Sequence, residues 1–148
     1  MRYLPDTSCL VALLCSWHEH HAATLKEMNR RKRSGETVVL SAHALIETFA
    51  VLTRIPYPYR LSEKDAWELL DSNFSKSEVV ALTSRQYWRV LKTCRDSRVS
   101  GGQIYDAVIA QCARRAKANL LLTWNRDHFL PFRSKDLIVA QPGEGPEA

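Results

Sequence analysis

Short runs of β-branched and aliphatic residues alternate along the chain with longer stretches of helical spacing, a pattern that predicts strands and helices in turn. The runs are apolar at consecutive positions, as at residues 38–40 and 120–122, which is typical of strands covered by helices on both faces. The pattern therefore predicts an α/β fold, a three-layer α/β/α sandwich with a central parallel sheet of about five short strands. The expected strands are residues 2–5, 37–41, 78–83, 120–124 and 137–140.

Six helices are expected between and beside these strands. Ser41, Ser62 and Ser84 each precede a helical run, where a side-chain oxygen can accept a hydrogen bond from a free backbone N–H group. Two prolines at residues 55–60 predict a loop, because proline lacks the N–H donor that a helix interior needs. The expected helices are residues 7–15, 21–33, 42–54, 63–72, 85–94 and 103–117.

The composition of the 148 residues narrows the class of protein. The apolar fraction of 45% and the modest Gly and Pro content exclude a disordered or collagen-like chain. The length predicts one domain over residues 1–140, followed by a flexible C-terminal tail at 141–148. No apolar run is long enough for a membrane span, no secretory signal is expected, and the cysteines are expected as buried thiols, so a cytoplasmic location is predicted. The net charge of +5 favours a polyanionic partner.

Acidic residues occupy positions where a parallel sheet gathers its ligands. Asp6 follows the first expected strand, and Asn125 and Asp127 follow the fourth, at the carboxyl ends where such sheets bind ligands. Glu47 and Asp106 lie inside apolar helical stretches. Several carboxylates brought together repel one another unless a cation intervenes, and hard oxygen ligands suit Mg²⁺ or Mn²⁺. We therefore expect a divalent-metal site at one edge of the sheet.

Each acid also has a purely structural interpretation. Asp6 is suited to cap the helix that follows it. Glu47 can pair with Arg54, Asp106 can cap a helix that starts near Gly101, and Asp127 can close a turn. The metal-site hypothesis rests on the four acids being brought together.

Four sequence motifs resemble those of the PIN-domain ribonucleases, and among them the VapC-type toxins of prokaryotic type II toxin–antitoxin modules. The resemblance extends over nearly the whole chain. The motifs are Leu-Pro-Asp-Thr-Ser at 4–8, Ile-Glu-Thr-Phe-Ala-Val-Leu-Thr-Arg at 46–54, Tyr-Asp-Ala-Val-Ile-Ala at 105–110 and Leu-Thr-Trp-Asn-Arg-Asp-His-Phe at 122–129.

This resemblance implies roles for individual residues. Asp6 and Asp106 match metal-binding carboxylates, and Glu47 matches a third essential acid. At the fourth acidic position this chain has Asn125, and we expect Asp127 to fill the role with Asn125 assisting. The supporting hydroxyl groups implied by the resemblance belong to Thr7, Ser8 and Thr123.

The function implied by the resemblance is that of a Mg²⁺- or Mn²⁺-dependent endoribonuclease toxin. It would cleave RNA phosphodiester bonds with a metal-activated water, be inhibited by a cognate antitoxin protein, and form a homodimer. The alternative is a catalytically weak PIN-like RNA-binding module in RNA processing, which the neutral amide of Asn125 keeps open.

Basic residues cluster at the ends of two expected helices. Cations are favoured at helix C-termini, so a solvated cap is one interpretation and an RNA-backbone contact is the other. A basic rim around the acidic site is the expectation from charge. The candidate RNA-binding residues are Arg30, Arg31, Arg33, Arg114 and Arg115.

Histidines near the motifs are expected on the surface. His18, His20 and His21 lie in a polar turn between helices, where a solvated position is expected rather than a metal site. His43 precedes Glu47 by four residues and so shares its helical side, but a surface position is expected for it too.

Overall fold

The computed structural model describes residues 1–144, which form a five-stranded parallel sheet in the order β3-β2-β1-β4-β5 with helices on both faces. The predicted fold class is confirmed. The strands are β1 (Arg2–Pro5), β2 (Thr37–Ser41), β3 (Glu78–Val80), β4 (Leu120–Leu122) and β5 (Ile138–Ala140). The helices are α1 (Thr7–Leu14), α2 (His21–Arg33), α3 (Ala42–Arg54), α4 (Glu63–Phe74), α5 (Ser84–Asp96), α6 (Gln103–Arg115) and α7 (Arg126–Phe129), with a 3₁₀ turn at Leu130–Phe132.

The central strand β1 fixes where the site lies. It pairs with β2 on one side and β4 on the other, with Tyr3 opposite both Val38 and Leu120. All pairings are parallel, so the carboxyl ends of the strands meet at one edge of the sheet. The segments that follow β1, β2 and β4 therefore start next to one another at this edge.

The two faces of the sheet bury separate apolar clusters because successive side chains of a strand point to opposite sides. Leu4, Leu40 and Leu121 pack with α5 and α6 residues in the larger cluster. Tyr3 and Leu122 belong to a smaller cluster on the face covered by α2. This arrangement explains the apolar character of consecutive strand positions.

Helix starts follow the expected chemistry with one correction. Ser41 accepts a hydrogen bond from the Ala44 N–H, and Ser62 caps α4 in the same way. The cap of α5 is Thr83 rather than Ser84, in a reciprocal capping box with Gln86. Strand β3 is consequently shorter than predicted, since residues 81–83 lead into the helix.

Strand β4 is also shorter than predicted, and the short α7 was not foreseen. The chain turns after Leu122, where the Asn125 N–H donates to Thr123 Oγ1 at 2.9 Å. Four residues are too few to show a helical period in the sequence, which is why α7 has no signal there.

The last described residues pack against the domain. Gln141 donates its backbone N–H to Glu144, whose carboxylate also lies 3.4 Å from Arg126 Nη1. Residues 141–144 of the predicted tail are thus in contact with α7, and residues 145–148 lie outside the described part of the chain. The four cysteines are buried and unpaired. Within residues 1–144, every helix is too short or too polar to cross a membrane.

Candidate active site

An open cavity of about 370 Å³ lies at the carboxyl edge of the sheet and is lined by three of the four predicted acids. Asp6 comes from the end of β1, Glu47 from α3 and Asp106 from α6. The lining also includes Thr7, Ser8, Trp124 and Asn125. Segments far apart in the sequence therefore bring these three acids together at the edge of the sheet where Asp6 ends β1.

Asp6 is the most tightly held of the carboxylates. It is only 2% exposed, and its Oδ1 accepts hydrogen bonds from Ser8 Oγ at 2.6 Å and from the Cys9 N–H at 3.0 Å. Its Oδ2 accepts from Thr123 Oγ1 at 2.6 Å. Burial raises the pKa of Asp6, and these three donors act in the opposite direction. Asp6 caps α1 and also lines the cavity. The same carboxylate can therefore serve as a helix cap and as a metal ligand.

The hydroxyl groups of Ser8 and Thr123 have a fixed direction. Ser8 Oγ accepts from the Trp124 N–H at 2.9 Å, and Thr123 Oγ1 accepts from the Asn125 N–H at 2.9 Å. With these acceptor positions used, each hydroxyl proton points to Asp6. The two residues orient the carboxylate and attach it to the turn that follows β4.

Glu47 pairs with His43, not with Arg54. The His43 Nε2 atom lies 3.0 Å from Glu47 Oε2, and this bond is the main cause of the lowered pKa of Glu47. The His43 ring stacks on Tyr105, with centroids 5.1 Å apart. The expectation of a surface position for His43 is therefore wrong. The spacing of four residues was the available signal, because it places both side chains on one side of α3.

Asp106 lies in the first turn of α6 but does not cap it, since Gly102 occupies the N-cap position. Burial raises its pKa to about 6, against the opposing effect of His128, and the charges of Asp6 and Glu47 add to the increase. The His128 Nδ1 atom lies 3.5 Å from Asp106 Oδ2. The charges of Asp6 and Glu47 act on Asp106 because the three carboxylates line one cavity.

The fourth position differs from the sequence expectation. Asn125 lines the carboxylate cavity, whereas Asp127 is exposed and lines a neighbouring cavity of about 320 Å³. Asn125 is the N-cap residue of α7, and Asp127 lies two residues further along that helix. Asn125, which we expected only to assist, is therefore better placed than Asp127 to act with Asp6.

The donor chemistry of the cavity fits a hard divalent cation. Carboxylate, amide and hydroxyl oxygens line it, and the buried Thr7 Oγ1 has no hydrogen-bond partner in the described part of the protein. No group of three or more His, Cys, Asp or Glu side chains within residues 1–144 is arranged to hold a metal ion by itself. The arrangement suits an ion such as Mg²⁺, which keeps several waters and takes one or two carboxylates directly.

The turn between α1 and α2 forms one wall of the cavity. His18, Glu19 and His20 line it, and the His20 ring stacks on Trp124 with centroids 3.9 Å apart and planes 10° apart. The histidines lie in the predicted turn between helices, half-buried instead of fully solvated. The sequence carries no signal for this placement, because it depends on how α1 and α2 pack around β4.

The predicted RNA-binding arginines of α2 lie at the opposite edge of the sheet. A helix that leads directly into a strand of a parallel sheet ends at the amino edge, where that strand begins, and α2 ends there near Met1 and Asn119. Arg31 is buried and bridges Glu27 and Glu36 at 2.7 Å each, and Arg30 pairs with Glu27. Arg33 is exposed.

The two arginines of α6 are at that edge as well. The helix ends beside Ala116, whose carbonyl accepts a hydrogen bond from Arg2 at the start of β1. Arg114 donates to the Phe132 carbonyl and Arg115 to the Gln86 side chain. The five arginines do not surround the carboxylates, which contradicts the expected basic rim.

Three comparisons with known proteins agree with this fold. Residues 3–133 match the family model described as PIN domain. Ribonuclease VapC40 of Mycobacterium tuberculosis is 38% identical over 117 residues, which cover 79% of this chain and 82% of that protein.

Solved structures show the same fold at low sequence identity. VapC20 of M. tuberculosis, described as a Sarcin-Ricin loop cleaving toxin, is 18% identical with a TM-score of 0.69, covering 90% of this chain and 97% of that one. VapBC2 of Rickettsia felis, solved with a DNA fragment from their promoter, also has 18% identity and a TM-score of 0.69, covering 95% and 98%.

Proposed function

The chain belongs to the PIN-domain family, as its motifs predicted, and we propose that it is a Mg²⁺- or Mn²⁺-dependent endoribonuclease, the toxin of a toxin–antitoxin pair. The observation that carries the proposal is the cavity at the carboxyl edge of the sheet, where Asp6, Glu47 and Asp106 meet. The ribonuclease name of the M. tuberculosis relative supports the nuclease class, and the neighbouring VapC structures support the toxin assignment.

Asp6, Glu47 and Asp106 would hold the cation, with Asn125 as a neutral oxygen ligand beside them. A divalent ion bound there supplies Lewis-acid polarisation of the phosphate and lowers the pKa of a water molecule. The role of Asp127 as a fourth acid is the weaker part of the sequence hypothesis, because its side chain lies outside this cavity.

The neighbours of the carboxylates keep the site ready for substrate. Ser8 and Thr123 hold both oxygens of Asp6 in place, so little reorganisation is needed when charge builds up on a phosphate. The hydrogen bond between His43 and Glu47 lowers the pKa of Glu47 and so favours its ionised form. The Asn125 amide can donate to a phosphate oxygen or a water at the cavity wall.

The direct experiment is cleavage of total RNA by the purified protein, with end mapping, in Mg²⁺ and in EDTA. We expect cleavage only with the metal, and a loss of at least about a hundredfold in Asp6→Asn and Asp106→Asn, because each removes a charge from the site. Asp127→Asn serves as the matched carboxylate control and is expected to lose less than Asn125→Ala. Undiminished cleavage by Asp106→Asn contradicts the proposal.

The same experiment separates the alternative function. Asn125 supplies no charge where an acid was expected, which favours a weak or inactive RNA-binding module. RNA binding without metal-dependent cleavage supports that module. Cleavage by the wild-type protein that Asp6→Asn abolishes rejects it.

We propose an antitoxin protein and a second copy of the chain as partners. The cavity is acidic and open, so a basic segment of an antitoxin complements it, and the solved VapBC2 structure supports a toxin–antitoxin assembly. Exposed apolar side chains such as Ile46 (73%) and Trp67 (60%) support a homodimer. Sedimentation analysis of the purified chain tests the dimer, and co-purification with the product of an adjacent reading frame tests the antitoxin.

A further inference from the structure

A continuous row of five aromatic rings runs along the cavity wall to the surface. In order, the rings belong to Tyr59, Trp17, His18, His20 and Trp124, and the centroids of successive rings are 4.3, 5.9, 5.6 and 3.9 Å apart. We propose that this aromatic row is the surface on which unpaired bases of single-stranded RNA stack while the phosphate between them lies at the carboxylates. The inference rests on the proposed ribonuclease function and specifies the substrate that the site selects.

The inner end of the row is fixed next to the carboxylates. His18, His20 and Trp124 line the same cavity as Asp6. The Trp124 indole N–H donates to the buried Thr24 Oγ1 at 2.8 Å, and the Trp124 backbone N–H donates to Ser8 Oγ, which in turn donates to Asp6. A base that stacks on this end is therefore held at a set position relative to the reacting phosphate.

The outer end of the row faces water. Trp17 is 44% exposed and Tyr59 is 46% exposed, although the two rings stack on each other with planes 25° apart. The rings are thus kept at the surface, aligned, instead of buried in the core. The two rings cover one face of each other, and the exposed remainder of the pair is open to a base. Surface aromatic rings are typical of proteins that bind single-stranded nucleic acids, because every base has a face that can stack.

A cation accompanies the outer rings. Arg60 lies with its guanidinium 4.8 Å from the centre of the Tyr57 ring, and its Nε donates to the Ile55 carbonyl at 2.9 Å. This positive charge is one residue from Tyr59, so bases on the rings and a phosphate on Arg60 can be bound at the same time. The basic residues of α2 cannot do this, because they lie at the other edge of the sheet.

The row distinguishes single strands from duplexes. In a double helix the faces of the bases are covered by neighbouring bases, and sequence-specific RNA recognition accordingly targets loops and single-stranded segments. A stacking surface beside the carboxylates therefore selects RNA whose bases are already unpaired, such as a loop.

The test measures binding without cleavage. A fluorescein-labelled single-stranded RNA of about 12 nucleotides and mixed sequence is titrated with protein in EDTA, and its duplex is titrated in parallel. We expect Trp17→Ala and Tyr59→Ala each to weaken single-strand binding about tenfold, since one stacked base is lost, with less than about a twofold change for the duplex. Trp17→Phe keeps an aromatic face and is expected to restore binding.

Trp88→Ala is the matched control, because Trp88 is 73% exposed on α5 and does not line the cavity. It is expected to bind the single strand like the wild type. RNA binding should also quench tryptophan fluorescence in the wild type more than in Trp17→Phe, a change that a purely structural role of Trp17 does not produce.

Two results overturn the aromatic row as a base-stacking surface. One is wild-type affinity of Trp17→Ala for the single strand, and the other is an equal loss for single strand and duplex. The nuclease proposal fails separately: if the wild type does not cleave RNA in Mg²⁺ but Trp17→Ala still loses single-strand binding, the stacking surface stands and the catalytic assignment falls. In a cleaving protein, Trp17→Ala should raise KM and leave kcat nearly unchanged.

Discussion

The orientation and the pKa of each carboxylate in the cavity depend on the side chains that contact it. Asp6, Glu47 and Asp106 could be selected from the sequence, because two lie in apolar helical stretches and one directly follows a strand. His43 and His128, their partners, could not be assigned with the same certainty. A histidine reaches Asp106 only because α7 packs beside α6, and four residues of α7 show no period in the sequence.

Asp106→Asn is expected to stabilise the metal-free protein while removing its activity. The folded protein raises the pKa of Asp106 to about 6, so folding favours the neutral form, and a penalty appears as the pH rises above the unfolded value of about 4. Above pH 6 the penalty is complete, and the gain on substitution is on the order of 2 kcal/mol. Urea unfolding in EDTA at pH 7.5 and pH 4 measures it.

The gain should shrink to less than about 0.5 kcal/mol at pH 4, where Asp106 is neutral in the folded protein and about half ionised in the unfolded chain. Mg²⁺ should stabilise the wild type more than Asp106→Asn, because the ion binds the folded wild-type site more tightly. Equal unfolding midpoints of the two proteins in EDTA at pH 7.5 contradict a raised pKa of Asp106, whose first cause is burial.

Among the elements, α2 shows both what a sequence pattern predicts and what it omits. Its bounds, His21–Arg33, match the prediction, and so do those of β1, β2 and α3. The charges inside it were not foreseen. Arg31 was interpreted as an RNA contact, whereas the structure buries it between Glu27 and Glu36 and over the Tyr3 ring. Whether a charged residue of a helix is buried depends on which segment packs over that turn. Hydrophobic periodicity predicts the helix but not this packing.

Glu27→Gln is expected to destabilise α2 against the sheet by about 3 kcal/mol at pH 7, because breaking a buried pair leaves Arg31 partly uncompensated. The pKa of Glu27 is lowered, first by its hydrogen bond with Arg30, so the stabilisation is fully present above the unfolded pKa of about 4.3. It is lost as the pH falls through the lower folded value.

Chemical denaturation of the wild type and Glu27→Gln at pH 7 and at low pH checks this expectation, with Glu68→Gln on the exposed face of α4 as control. The difference between wild type and Glu27→Gln should shrink in acid. A loss at pH 7 no larger than that of Glu68→Gln would show that the buried pair contributes little.

At the scale of the whole molecule, the carboxylate cavity and the five predicted RNA-binding arginines lie at opposite edges of the sheet. The net charge of +5 predicted a polyanionic partner but not where it binds. The direction of α2 was available from the sequence, since a helix that leads directly into a parallel strand must end at the amino edge of the sheet. The position of His18 and His20 in the cavity wall could not be predicted from the sequence. It depends on the packing of α1 and α2 against the turn that contains Trp124, about 100 residues further along the chain.

Arg33→Glu is therefore expected to leave kcat/KM for RNA within about twofold of the wild type, and the salt dependence of binding unchanged. Arg60→Glu, beside the aromatic row, is the matched comparison and should weaken binding and reduce the salt dependence, because a phosphate contact is lost. Cleavage rates and binding titrations at several salt concentrations decide between them. A tenfold loss of kcat/KM in Arg33→Glu would instead show that RNA binds at the amino edge of the sheet.

The hydrogen bond from Thr123 to Asp6 joins residues that are 117 positions apart. During synthesis, Asp6, Glu47 and Asp106 are all added to the chain before the turn that follows β4. A chain that stops short of Thr123 carries every one of these acids but lacks the hydroxyl that donates to Asp6 Oδ2. The full set of hydrogen bonds to Asp6 therefore forms only after β4 and the turn behind it have been made.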